Sequence, residues 1–149
     1  MNPFDLKAAL LARHAQHVVV IHFPIALSIS SFAFDALAVF KRSRALAAAA
    51  YYTLMGAAIT APVAVVTGIL AWQLALNGGR LHGNLRLHLL LGSSCAVLIC
   101  ALAWWRRRHQ QQEPAKLSFA YWALAVLALI LVGLTGHLGG ILSGVEAPN

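Results

Sequence analysis

The sequence predicts an all-α integral membrane protein, a bundle of four transmembrane helices with both termini on the outer, periplasmic side. Three observations predict it. Hydrophobic residues make up 60% of the chain and charged residues 10%, where soluble domains carry about 25% charged residues. The charges gather in short clusters that leave four apolar stretches, each long enough to supply the roughly 20 residues a helix needs to cross the hydrocarbon core. The basic residues, finally, divide unequally between the two ends of such a bundle.

Residues 1–16 form an interfacial N-terminal segment in this reading. Asp5, Lys7 and Arg13 interrupt it, which is not the order of basic, apolar and cleavage regions of a signal peptide. An interfacial helix with Phe4, Leu10 and Leu11 towards lipid is the expectation. The membrane domain covers 17–143, with spans at about 18–40, 45–76, 87–105 and 117–142, and 144–149 is a C-terminal tail. The first span contains Pro24, which lacks a backbone donor and is expected to kink the helix near His22. It also holds Asp35, a carboxylate in a place where ionisable groups either carry protons or meet a cation. Pairing with Lys41 or with one of Arg106, Arg107 and Arg108 is expected. The second span carries no formal charge, and Lys41-Arg42-Ser43-Arg44 separates it from the first. Asn77-Gly78-Gly79-Arg80 opens the next turn, and the segment from Arg106 to Lys116 forms the last. The patterning lacks the charged outer faces of a soluble bundle.

Lys41, Arg42, Arg44, Arg106, Arg107, Arg108 and Lys116 lie on the side of the first and third loops, against Lys7, Arg13, Arg80 and Arg86 on the other. This places those loops in the cytoplasm and the chain in a cell inner membrane as a multi-pass protein. The net charge of +7 thereby has a membrane explanation, contact with anionic lipid. A nucleic-acid partner is not expected, because the basic groups are split between two faces. Cys95 and Cys100, five residues apart on one helix, do not meet disulfide geometry. The chain has no CxxCH haem-attachment motif, no HExxH and no phosphate loop.

Histidine carries the functional signal. His14, His17, His22, His82, His88 and His137 fall at the outer end, and only His109 at the inner end. With a rise of about 1.5 Å per residue, His22 lies roughly 6 Å inside the first span and His137 roughly 8 Å inside the fourth. His22, His88 and His137 are thus the leading cofactor ligands, with His17 as a further metal ligand. Imidazoles suit haem iron, copper or zinc. Ala26, Gly92 and Gly133 stand one turn deeper than these histidines, and Gly140 shares the face of the fourth helix. Such small residues give a flat macrocycle access to backbone. Arg86, with Arg80 and Arg13, is at the same end and suited to pair with haem propionates.

The stretch His17-Val-Val-Val-Ile-His22-Phe23-Pro24-Ile-Ala-Leu with Phe34-Asp35, then Gly68-Ile-Leu-Ala71-Trp72, His88 and Gly136-His137-Leu138-Gly139-Gly140, resembles the bacterial membrane proteins grouped as domain of unknown function 2231. The chain departs from that pattern at Val18, where the family often has Pro, and at Ala71, where an acidic residue often precedes the Trp. The resemblance implies a four-helix membrane domain and similarity to b-type cytochrome bundles.

The function expected from these readings is a membrane b-type cytochrome. It binds haem b through two of His22, His88 and His137 and passes electrons to a partner protein or quinone. One alternative is a copper- or zinc-binding protein for metal handling or assembly. Another is a cofactor-free subunit whose small-residue faces, 57–68 and 133–144, dock other membrane subunits. An electron-transfer or binding subunit is expected in preference to a free-standing enzyme.

Overall fold

In a computed structural model, which describes residues 15–75, 78–109 and 117–143, the secondary structure of the described residues is all α-helix, joined by short turns. Four helices follow one another: α1 (Ala15–Lys41), α2 (Arg44–Ala75), α3 (Gly83–Arg108) and α4 (Phe119–Leu142). All four are long and apolar enough to cross a membrane. The expected interfacial segment 1–16, apart from its last two residues, and the tail 144–149 lie outside the described residues. The first three helices outrun their expected apolar stretches at one end or both, because backbone hydrogen bonding continues into the polar flanks until a cap stops it, whereas α4 starts two residues late, after its Ser118 cap. Thus α3 begins at Gly83 and includes Arg86, and α2, at 32 residues, is about 48 Å long. That exceeds the hydrocarbon thickness of about 30 Å, so α2 must tilt or project.

The caps explain the turns. At the end of α1, Arg42 adopts a left-handed backbone (φ 49°), and the Ser43 amide donates to the Ala38 carbonyl at 3.1 Å. This is the geometry that closes a helix C-terminus. Ser43 then accepts from the Leu46 amide through its hydroxyl, opening α2 after a two-residue connection. Ser118 does the same for α4, accepting from the Tyr121 amide at 3.2 Å. Between α2 and α3, Trp72 donates its indole N–H to the Gly79 carbonyl at 2.9 Å, and Gly78 takes φ 61°.

Neighbours in sequence are neighbours in space: α1 packs most extensively on α2, α2 on α3 and α3 on α4, while α1 and α4 meet only narrowly. Helices α1 and α3 therefore oppose each other on one diagonal. The core is built from small residues, with Ala38, Ala50, Ala57, Ala61 and Ala103 buried around Leu54, Ile99 and Leu102. Without a hydrophobic drive between helices in lipid, close approach of this kind supplies the packing. The bulky apolar side chains face outwards instead: Phe40, Ile59, Val97 and Phe119 are all mostly exposed. This inside-out distribution is that of a protein dissolved in lipid. The small-residue stripe of α2 is consumed here, since Ala57, Ala61 and Ala64 are buried inside the bundle. On α4, by contrast, no atom of another described element stands within 4 Å of a Cβ built on Gly133 or Gly136.

Candidate functional site

Two polar layers interrupt the apolar bundle, one near each end. At the end shared by the start of α1 and the end of α4, His17 of α1 and His88 of α3 face each other across the diagonal. Their ring centroids are 6.5 Å apart and their planes at 87°. Each ring is held by the helix next to it. The His17 Nδ1 lies 3.1 Å from the Thr67 hydroxyl of α2, and the His88 Nδ1 lies 3.1 Å from the Thr135 carbonyl of α4. All four helices thus contribute to one layer.

These bonds fix the tautomers. A carbonyl only accepts, so His88 donates from Nδ1–H. Thr67 spends its own hydroxyl hydrogen on the Ala64 carbonyl at 3.0 Å, so it too accepts, and His17 donates from Nδ1–H. In both neutral rings the lone pair therefore resides on Nε2. Anchoring one ring nitrogen so that the other is presented is how proteins orient histidine ligands.

Glycine makes the arrangement possible. A Cβ on Gly68 would stand 2.9 Å from the His17 Cε1 and 3.4 Å from both ring nitrogens, and one on Gly139 would stand 3.3 Å from the His88 Cε1. Both imidazoles lie directly against bare helix backbone.

The other expected ligands are placed differently. His22 is exposed, and its Nδ1 turns back to the Val18 carbonyl of its own helix at 2.6 Å. His137 is exposed on α4. Ala26 and Gly133 are exposed, Gly140 is half-buried, and Gly92 faces the Thr135 methyl at 3.4 Å. Arg80 and Arg86 are exposed at the histidine end, and His82 is the exposed residue preceding α3. His14 and Arg13 lie outside the described residues. Among the described residues no three His, Cys, Asp or Glu side chains converge. Cys95 and Cys100 are both free thiols, in line with their spacing. Thr67, Gly68, Thr135 and Gly139 take part in the layer; the sequence marked Gly68 and Gly139 only as part of the family pattern and set none of the four beside a histidine.

The second layer lies about 27 Å away along α1, eighteen residues beyond His17 at 1.5 Å per residue. Here Asp35, only 2% exposed, accepts from the Arg106 guanidinium of α3 at 2.7 Å and from the Tyr121 hydroxyl of α4 at 2.8 Å. The pairing expected with one of Arg106–Arg108 is found at Arg106. Tyr121 was not anticipated; its ring also lies under the guanidinium, 5.7 Å from its carbon.

The sequence profile of predicted membrane proteins grouped as DUF2231 matches residues 13–146, nearly the whole chain and both polar layers. The chain belongs to this family. As a DUF2231 protein it is a multi-pass membrane protein in contact with the lipid bilayer, consistent with its four spans. No curated protein and no solved structure matches it. What a DUF2231 chain does must therefore be argued from its polar layers.

Proposed function

We propose that this DUF2231 protein is a small b-type cytochrome in which His17 and His88 are the axial pair. The observation that carries the reading is their spacing. Two imidazoles on opposite sides of one metal ion, each bound through a nitrogen at about 2.0 Å, have centroids roughly 6.4 Å apart, whereas tetrahedral ligation draws them to roughly 5 Å. The observed separation is 6.5 Å. Ligand number supports the same choice. Zinc asks a protein for three or four ligands, while haem brings four nitrogens of its own and asks for two axial ones. Two anchored imidazoles therefore complete a haem site but only begin a zinc or copper site. The narrow meeting of α1 and α4 and the open backbone at Gly133 and Gly136 favour a flat group beside the pair.

The group would supply a one-electron couple. The chain's part is to hold it through the two Nε2 atoms, to fix those atoms through Thr67 and Thr135, and to surround them with apolar helix. Axial ligand identity and burial then set the potential. The excess of basic residues in the first and third loops supports an orientation with the histidine layer towards the periplasmic side of an inner membrane, where a redox protein, a quinone or another membrane subunit would exchange the electron. Arg86, exposed two residues before His88, is the nearest basic residue in sequence for a propionate.

The test is a visible spectrum of detergent-purified protein, oxidised and dithionite-reduced, after haem-replete expression, with iron measured on the same sample. Sharp reduced bands and one iron per chain are expected. A colourless, iron-free protein overturns the reading. A second expectation concerns Gly68. Alanine there pushes a methyl into the His17 ring, and weakening an orienting contact costs ligation about tenfold or more. Iron retention should therefore fall in Gly68→Ala.

A further inference from the structure

Ser28, Ser31 and Asp35 form a polar stripe on the buried face of α1, at spacings of three and four residues. They line a small cavity of about 20 Å³, counted as the space open to the centre of a water molecule, together with Leu54 of α2, Ile99 of α3 and Tyr121 of α4. Ser28 is 7% exposed, and among the described residues none partners its hydroxyl. Ser31 donates its hydroxyl to the Ala50 carbonyl at 2.9 Å, which leaves its oxygen able to accept. The Asp35 oxygens each take one bond, from Arg106 and from Tyr121, and a carboxylate oxygen accepts two.

We propose that this cavity is a binding site for a single water molecule, held by the Ser28 hydroxyl as donor and by the Ser31 hydroxyl as acceptor, with Asp35, about 10.5 Å beyond Ser28 along the helix, lining the far end of the same cavity. Its size exceeds the roughly 10–15 Å³ that one water requires, and the site offers the two to four polar partners that a buried water needs. Charge excludes the alternatives. Arg106 and Asp35 already cancel, so a cation would leave net charge buried among apolar helices. An anion would face the carboxylate. A neutral molecule that both donates and accepts fits, and the volume limits it to about one heavy atom. The site thus places a water-bridged serine pair beside a buried ion pair inside the bundle.

The sign of one substitution tests this. In a dry cavity, Ser28→Ala removes a buried hydroxyl that has no partner, and stability must rise. In a hydrated one, it removes the hydroxyl that donates to the water and leaves that water underbonded. The thermal midpoint of Ser28→Ala in detergent is expected to fall by a few degrees; a rise or no change overturns the proposal. A crystal of the full chain grown in lipid gives the second arm. A density peak within hydrogen-bonding distance of the Ser28 and Ser31 oxygens is expected, and an ordered map without one overturns it.

Discussion

Asp35→Ala is expected to destabilise the folded bundle by about 3–5 kcal/mol, the usual cost of leaving one member of a buried ion pair without its partner. The loss is large because three helices meet at this carboxylate. Arg106 and Tyr121 both lose their acceptor, and an uncompensated guanidinium is left 4% exposed within the bundle. Arg106→Ala should cost a similar amount, since Tyr121 alone then supports the buried carboxylate. The diagnostic result is the double variant. With neither charge present nothing is left unpaired, so Asp35→Ala/Arg106→Ala should recover about 2–3 kcal/mol relative to the summed single effects. Unfolding in mixed detergent micelles, followed by circular dichroism, measures all three. Additive losses would mean that the two groups act independently despite their 2.7 Å contact.

The second large effect is on cofactor retention. His17→Ala and His88→Ala are each expected to abolish the reduced spectrum and stoichiometric iron, because an axial pair that loses one member no longer clamps both faces. His22→Ala and His137→Ala should keep both, since these side chains sit on exposed surfaces of α1 and α4. Iron analysis of the four variants, beside a check that each runs as the wild-type species in gel filtration, decides the assignment. If His22→Ala or His137→Ala loses iron while His17→Ala retains it, the axial pair is misassigned. The cytochrome reading would stand with other ligands.

The four spans were legible because hydrocarbon imposes a length and a composition that few other environments impose. The clustering of histidines at one end was legible for the same reason, as was the tie from Asp35 to an arginine at the other. Which histidines face inwards depends on how each helix is rotated, and depth along the span does not report rotation. A signal was nonetheless present. Asp35 and His17 are eighteen residues apart, as are Arg106 and His88, and eighteen residues are five whole turns at 3.6 residues per turn. A buried ion pair must face the bundle, and it carries His17 and His88 with it. His22, thirteen residues before Asp35, falls on the far side of α1. In α4, Thr135 keeps nearly the direction of Tyr121, while His137, two residues on, turns away. The contribution of Thr67 and Gly68 stayed hidden, because nothing in an uncharged helix marks which of its faces meets a histidine.

The same five-turn spacing makes α1 and α3 a pair of opposed lever arms, pinned together at one end by Asp35 and Arg106 and bearing an imidazole at the other. Over about 27 Å, a relative tilt of roughly one degree moves the His17–His88 gap by about 0.5 Å, which is near the tolerance of a preorganised ligand site. The ion pair would therefore act as a gauge block for a group held by the two histidines, which it never touches. A substitution beside the ion pair that leaves the fold intact is expected to register first in the spectrum of a group held at the histidine end.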